Sequence, residues 1–165
     1  AQGFSFAIGE AFGFKMQSIP NRVYVMLGDG EIQEGQVWEG AMLSAHHKLN
    51  NLCAIIDYNK MQSDDLNENI MGLEPLSDKW SSFGWNVINI DGHDFKQIGK
   101  AFDDAKKFDD GPTVIIANTI KGKGVSYMEG SPTWHGSLKL TDEDMTVALQ
   151  ELGLDGAKIK EVLNG

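Results

Sequence analysis

The sequence has little cysteine and little positive charge. Its 165 residues include one cysteine, Cys53, so neither an intrachain disulfide nor a cysteine-based zinc site can form. A single cysteine also favours a reducing compartment, and we expect a cytoplasmic protein. Lys and Arg number 14 against 24 Asp and Glu, giving a net charge of −10. This excess of acidic residues argues against nucleic acid or an anionic membrane surface as a partner.

Long apolar runs and nucleotide fingerprints are also missing. No run approaches the ~20 apolar residues of a membrane span, so we expect no membrane partner. Neither G-x-G-x-x-G after a strand nor G-x-x-x-x-G-K-[ST] occurs in the chain, which removes the usual dinucleotide and nucleoside-triphosphate sites. A small phosphorylated ligand held through a metal ion remains compatible with so acidic a chain.

Apolar runs of strand length alternate with segments of helical periodicity. A first helix at 3–17 is apolar almost all round, so we expect it to be buried, with Gly9 and Gly13 forming a smooth stripe for close packing. The helix that Asp94 opens is predicted to turn Phe95, Ile98, Phe102, Ala105 and Phe108 inward. Four strands are predicted, at 23–27, 52–56, 85–90 and 113–118. Because the strands are apolar on both faces, the predicted fold is α/β, a parallel sheet with helices on both faces, in a single domain over 1–165.

Polar clusters follow three of the predicted strands. They are Gly28-Asp29-Gly30, Asp57-Tyr58-Asn59 and Lys121-Gly122-Lys123-Gly124. Ligands of parallel sheets bind outside the carboxyl ends of the strands. We therefore expect the three clusters to converge on one site.

The first two clusters suggest a site for a hard metal ion. Asp29 offers a carboxylate and Asn59 an amide oxygen, and the turn after Asn59 can add a backbone carbonyl. Mg²⁺ prefers such oxygen ligands and completes its octahedron with water and phosphates. The glycines beside Asp29 would let the backbone approach a diphosphate, and the following helix could aim free N–H groups at the same anion.

These residues carry a resemblance to a known family. Gly28-Asp29-Gly30, followed by Asn59 30 positions after Asp29, resembles the thiamine-diphosphate motif. More specifically, the sequence from Ala1 to about Gly136 resembles the transketolases. The segments that carry this are Gln2-Gly3-Phe4-Ser5, Gly28-Asp29-Gly30-Glu31-Ile32-Gln33-Glu34-Gly35-Gln36-Val37-Trp38-Glu39, Asp91-Gly92-His93-Asp94, Lys121-Gly122-Lys123-Gly124-Val125 and Trp134-His135-Gly136.

The resemblance implies the diphosphate-binding domain of the thiamine-diphosphate-binding fold. The implied activity is transfer of a two-carbon ketol unit from a ketose to an aldose, within the pentose phosphate pathway. Thiamine diphosphate and Mg²⁺ are the implied cofactors, and sugars or sugar phosphates the substrates. The implied partner is a pyrimidine-binding half or C-terminal transketolase subunit, in a dimer or heterotetramer.

The same resemblance assigns residues to the metal and the diphosphate. Asp29 and Asn59 correspond to side-chain ligands of Mg²⁺, and Met61 to the residue that gives a backbone carbonyl to the metal. Gly30 and Asn59 correspond to residues that touch the diphosphate.

Three further residues receive roles in the same way. Lys121 corresponds to a lysine that reaches the cofactor, where its charge would offset that of the diphosphate. His135 corresponds to a catalytic histidine that contacts the diphosphate and the sugar, and a neutral imidazole there can move the proton of the donor hydroxyl. Glu34 corresponds to a cofactor-site glutamate in an acidic network that links the two active sites of a dimer.

Taken without the resemblance, these residues have simpler interpretations. Lys121 is equally compatible with a surface lysine beside a glycine turn, and His135 with a loop histidine packed on Trp134. Glu34 could simply favour the start of its helix through the helix dipole.

Alternatives also remain for the whole protein. One rival is another thiamine-diphosphate enzyme, such as a deoxyxylulose-phosphate synthase. The other is a non-catalytic subunit with the cofactor fold.

The sequence also departs from the family pattern. Ser137 stands where many transketolases have a basic residue, which puts one contact of the family in doubt. The chain opens on Ala1 inside an apolar segment, so we expect a missing upstream segment, and a glutamate that activates the cofactor is expected from the other half.

Overall fold

The computed structural model describes residues 1–63, 65–136 and 138–164. Two short 3-10 turns, Glu31–Gln33 and Pro132–Trp134, accompany the main elements. In chain order these are α1 (Gln2–Met16), β1 (Val23–Gly28), α2 (Gly35–His46), β2 (Leu52–Tyr58), β3 (Met61–Gln62), β4 (Asp65–Leu66), α3 (Asn67–Ile70), α4 (Leu76–Ser82), β5 (Asn86–Asp91), α5 (Phe95–Lys107), β6 (Thr113–Asn118), α6 (Asp142–Glu151) and α7 (Gly156–Asn164).

The predicted parallel sheet is confirmed. Its four strands lie in the order β1-β2-β6-β5, and every neighbouring pair is parallel. Gly28 pairs with Asp57, and Tyr58 with Asn118, so the strands end at nearly the same level. This register brings the polar clusters to one edge of the sheet. The polar stretch after β2 adds the antiparallel pair β3-β4.

Helices α1, α2 and α4 cover one face of the sheet and form the larger core. Trp80 and Trp85 lie in it, and their rings meet edge to face at 4.9 Å between centroids. The Phe4 ring of α1 contacts both tryptophans. The indole N–H of Trp85 donates a 3.0 Å hydrogen bond to the Ala41 carbonyl, so its polar atom is satisfied inside the core.

Helix α5 covers the other face and packs on Cys53 and Ile115. Ile98, Phe102 and Ala105 face inward as predicted, but Phe95 does not, because its side chain is 88% exposed. Phe95 is the first residue of α5 and lies beside the edge where β5 and β6 have ended. Phe95 is therefore not part of the core that α5 forms with the described strands.

The prediction of complete burial for α1 is wrong for its outer half. Phe4, Ala7, Ile8 and Ala11 are buried, whereas Phe6 is 77% exposed. A Cβ added at Gly9 or Gly13 would meet no heavy atom within 4 Å. The helix rests on the sheet through one face only, because the described residues supply no second layer above it.

Side chains cap the starts of both C-terminal helices. Thr141 and Asp144 form a reciprocal capping box at the start of α6, and the Asp155 carboxylate accepts two backbone hydrogen bonds in the first turn of α7. Helix α6 holds the loop that follows β6, since the Tyr127 hydroxyl donates to the Asp144 carbonyl. Within the described ranges, no helix is both long and apolar enough to cross a membrane.

Candidate functional site

The three polar clusters converge on one cleft at the carboxyl edge of the sheet, as the sequence predicts. The cleft has a volume of about 280 Å³. Every predicted site residue except Glu34 lines it. The lining residues are Gly28, Asp29, Gly30, Glu31, Asp57, Asn59, Met61, Gln62, Ser63, Lys121 and His135.

Asp29 is the buried anion of the cleft, with a 2% exposed side chain directly after β1. One carboxylate oxygen accepts from the Gly30 amide at 2.9 Å. The other accepts from the Lys60 amide at 2.6 Å and from the Asn67 side-chain amide at 2.9 Å. Burial raises the pKa of Asp29, and the nearby carboxylate of Asp57 adds to that increase. A cation in the cleft would offset this unfavourable charge.

Asn59 reaches the same cleft from the end of β2. Its side-chain oxygen accepts from the Met61 amide at 3.0 Å, and its side-chain amide lies 3.4 Å from a carboxylate oxygen of Asp57. Lys60, which lies between Asn59 and Met61, has φ +66°. This left-handed conformation directs the Lys60 amide at Asp29. Met61 is buried and opens the β3 strand.

The donors in the cleft fit a hard cation better than a soft one. Asp29, Asp57, Asn59 and the backbone at Met61 offer oxygen, and the only cysteine lies in the sheet. No group of three or more His, Cys, Asp or Glu among the described residues could hold a metal by itself. A site with so few protein ligands suits Mg²⁺, which keeps several waters or phosphate oxygens.

A close contact within the chain requires glycine at position 30. A Cβ at this position would lie 2.9 Å from the Cβ of Gln62, so the turn after β1 and strand β3 can only approach with glycine here. Gln62 is held in turn by a hydrogen bond from the Gln33 side-chain amide. A Cβ at Gly28 would meet nothing within 4 Å. The predicted approach of a diphosphate to these glycines stays a prediction.

Lys121 and His135 enter the cleft from the long loop after β6. Both side chains are half-buried. The Lys121 carbonyl accepts from the Gly130 amide at 2.8 Å, which closes the loop at its base. His135 follows the 3-10 turn, and its amide donates to the Pro132 carbonyl at 2.9 Å. The neighbouring Trp134 ring packs on Tyr127, with 5.1 Å between centroids.

Comparison with known proteins decides the family. Residues 10–164 match the family described as transketolase, thiamine diphosphate binding domain. The chain belongs to the transketolase family.

Similar transketolases include both divided and undivided proteins. The chain is 47% identical over 156 residues to the 6-deoxy-6-sulfo-D-fructose transketolase subunit SqwG of Clostridium sp. (strain MSTE9), covering 94% of this chain and 56% of that one. It is 38% identical over 163 residues to an apulose-4-phosphate transketolase subunit of Phocaeicola vulgatus, covering 99% and 58%. Human transketolase is 39% identical over 136 residues, covering 82% and 21%. The chain thus spans a little over half the length of the two subunits.

Solved transketolases have the same fold. The transketolase of Campylobacter jejuni superposes with a TM-score of 0.87 at 33% identity, covering 93% of this chain and 25% of that one. A Pichia stipitis transketolase superposes with a TM-score of 0.79 at 28% identity, covering 98% and 26%. The parallel sheet and its helices are therefore those of a transketolase.

Glu34 lies apart from the other predicted residues of this transketolase domain. It is exposed at the start of α2 and makes no side-chain capping hydrogen bond. Glu31, from the same segment, lines the cleft and accepts from the Gly28 amide at 3.2 Å. An exposed position suits contact with another chain, and the predicted role of Glu34 in a dimer stays a prediction. Ser137 lies outside the described residues.

Sequence reasoning missed two side chains that shape the site. The side-chain amide of Asn67 donates a hydrogen bond to Asp29, and the Cβ of Gln62 leaves no room for a side chain at position 30. Both lie in the polar stretch after β2, where no periodicity or motif marks them. Asp57 was visible as part of its cluster, but its position beside Asp29 depends on the strand register.

Proposed function

We propose that this chain is the diphosphate-binding part of a transketolase and takes part in thiamine-diphosphate- and Mg²⁺-dependent transfer of a two-carbon ketol unit from a ketose to an aldose. The observation that carries this proposal is the convergence of Asp29, Asn59, Lys121 and His135 on one cleft of a transketolase-family domain.

In this proposal the metal lies between Asp29, Asn59 and the backbone carbonyl of Met61. The buried carboxylate with a raised pKa and the all-oxygen donor set support it. The diphosphate would face Gly30 and Asn59, with Lys121 offsetting part of its charge. The bound cofactor supplies the electron sink that carbon–carbon bond cleavage requires.

The proposed catalytic residue of this chain is His135. His135 lines the cleft, as Lys121 does, and is half-buried, so its imidazole can meet a sugar that enters from solvent. A neutral imidazole there accepts the proton of the donor hydroxyl and returns a proton in the reverse direction. General acid–base catalysis of this kind contributes about 10²–10⁴-fold to a rate.

The proposed partner is a pyrimidine-binding half or a C-terminal transketolase subunit, in a dimer or heterotetramer. Two similar proteins are named as transketolase subunits. The exposed outer face of α1, marked by Phe6, and the exposed Glu34 offer surface for such a partner. A cytoplasmic location, as the single free Cys53 suggests, and a place in pentose-phosphate sugar metabolism complete the proposal.

The names of the two subunits suggest a substrate class. One refers to a sulfo-sugar and the other to a sugar phosphate, so both sugars carry an anionic group. We propose sugars of this class as substrates.

The test uses the chain assembled with its partner half, thiamine diphosphate and Mg²⁺. Ketol transfer from a ketose phosphate or ketose sulfonate to an aldose is the expected result. Consumption of pyruvate in its place would identify a deoxyxylulose-phosphate-synthase type of enzyme. Cofactor binding without turnover of either donor would identify a non-catalytic subunit.

A further inference from the structure

The loop that carries Lys121 is braced by the turn after β5. The Ile120 amide, one residue before Lys121, donates a 2.8 Å hydrogen bond to Nε2 of His93. The His93 amide in turn donates to the Asp91 carboxylate at 2.9 Å. His93 therefore connects the end of β5 with the residue next to a cleft lysine.

Gly92 brings this turn close enough to make the contact. A Cβ at Gly92 would lie 2.4 Å from Cγ2 of Thr119, so only glycine fits there. The Gly92 amide also donates to the Asn118 carbonyl at 2.8 Å. The turn after β5 thus contacts three consecutive residues, from Asn118 at the end of β6 to Ile120 in the loop.

The same segment reaches the acidic side of the cleft. The Thr119 hydroxyl donates to a carboxylate oxygen of Asp57, and the Thr119 amide donates to the Tyr58 carbonyl at 3.2 Å. Ile120 is the next residue along the chain, and its amide bonds to His93. Lys121 therefore directly follows two fixed residues, Thr119 on Asp57 and Ile120 on His93.

His93 itself does not line the cleft of Asp29. It lines two adjoining cavities of about 700 and 450 Å³, and Lys121 lines both of these as well as the cleft. Asn59 also lines all three. Lys121 is therefore shared between the cleft and the two cavities that His93 lines.

The outer part of the loop has hydrogen bonds of its own. The Lys123 ammonium pairs with Glu129 at 2.9 Å, and the Gly124 amide donates to the same carboxylate at 3.3 Å. The hydrogen bond to His93 comes from Ile120, at the base of the loop.

We propose that His93 is a positioning residue that holds Lys121 at the wall of the cleft through the Ile120 amide. The role given to Lys121 rests on the proposed function. The histidine supplies a hydrogen-bond acceptor at a fixed distance from the turn, and any side chain of similar reach with an acceptor oxygen can replace it.

The experiment compares His93→Leu with His93→Gln in the assembled protein, with His46→Leu as a control on the exposed end of α2. Leucine removes the acceptor, whereas glutamine places an oxygen at a similar reach. Hydrogen–deuterium exchange of the peptide spanning Ile120 is measured by mass spectrometry without cofactor. Exchange at this amide should become faster in His93→Leu only, and the exchange of strand β6 should stay unchanged in all three variants.

Cofactor affinity, measured by calorimetry with Mg²⁺ present, is the second readout. It should decrease about fivefold in His93→Leu, the effect of one net hydrogen bond, and recover in His93→Gln. Unchanged exchange in His93→Leu, equal effects of leucine and glutamine, or faster exchange with normal affinity would each overturn the positioning role. Absence of cofactor binding by the wild-type assembly would instead overturn the proposed function, and with it the role given to Lys121.

Discussion

The Asn67 side-chain amide donates a 2.9 Å hydrogen bond to the Asp29 carboxylate, although the two residues are 38 positions apart. Asn67 is 4% exposed, and its amide proton joins those of Gly30 and Lys60 in fixing both carboxylate oxygens. Partners of this kind orient a metal ligand before the metal binds. Hydrogen bonds from the protein itself therefore orient Asp29.

Replacing Asp29 by alanine should abolish tight binding of thiamine diphosphate with Mg²⁺. Loss of a residue that only orients a ligand typically weakens metal binding 10–100-fold, and loss of the ligand itself should exceed about 100-fold. Calorimetric titration of the assembled protein measures this. Asp109→Ala, which removes an exposed carboxylate far from the cleft, should leave the affinity unchanged. Equal affinity in Asp29→Ala and the wild type would refute the metal-site assignment.

Replacing His135 by alanine should reduce turnover far more than cofactor affinity. The imidazole is assigned to proton transfer, so the turnover number should fall by about 10²–10⁴-fold with cofactor at saturation. Steady-state ketol-transfer assays and calorimetry on one preparation separate the two effects. His46→Ala, an exposed histidine at the end of α2, is the matched control. A normal rate in His135→Ala would return His135 to a structural role in its loop.

The sequence was sufficient for the sheet and for the position of the site. Strands apolar on both faces allow few arrangements, and their polar carboxyl ends meet at one edge. Asp29 and Asn59 could therefore be predicted to share a cleft, and the structure places both there.

What the sequence could not provide depends on contacts between distant segments. Asn67 and Gln62 matter only because the β3-β4 pair folds back over the turn after β1. Phe95 matches the helical period of its neighbours yet is exposed, because periodicity does not show where the sheet ends.

Two glycines of the Lys121 loop should respond differently to alanine. Gly122 and Gly130 both have φ near +70°, at 73° and 70°. Alanine at Gly130 would meet open space, so only backbone strain of about 1 kcal/mol is expected. Alanine at Gly122 would also place a Cβ 2.7 Å from the backbone of Met128, and about 2–4 kcal/mol is expected. Urea denaturation of the assembled variants measures both, and equal losses would contradict the close contact.

Cys53 should make the protein less stable at alkaline pH. Burial raises the pKa of its thiol from 9.0 to about 11. The folded state therefore holds this proton more tightly than the unfolded chain. The resulting stability is fully present below pH 9.0 and is lost as the pH rises toward about 11. The loss should be on the order of 2 kcal/mol. Denaturant titrations at both ends of this pH range measure the free energy of unfolding. It should change less with pH in Cys53→Ala than in the wild type, and an equal change in both proteins would contradict the prediction.

The isolated chain should be inactive and should not behave as a stable monomer. In the proposed enzyme the partner half supplies the glutamate that activates the cofactor, so the chain alone holds only part of the active site. Phe6 is 77% exposed on the outer face of α1, and apolar surface of this kind marks an interface or an aggregation risk.

A pair of phenylalanine variants tests which surface causes the isolated chain to associate. Phe6→Gln should reduce self-association of the isolated chain and weaken its assembly with the partner half, as measured by analytical ultracentrifugation. Phe95→Gln is the matched control, because Phe95 is 88% exposed but lies on α5, across the sheet from α1. Equal effects of the two variants would show that exposed apolar area in general, and not α1, drives association. A monodisperse, active monomer of the wild-type chain would overturn the divided active site altogether.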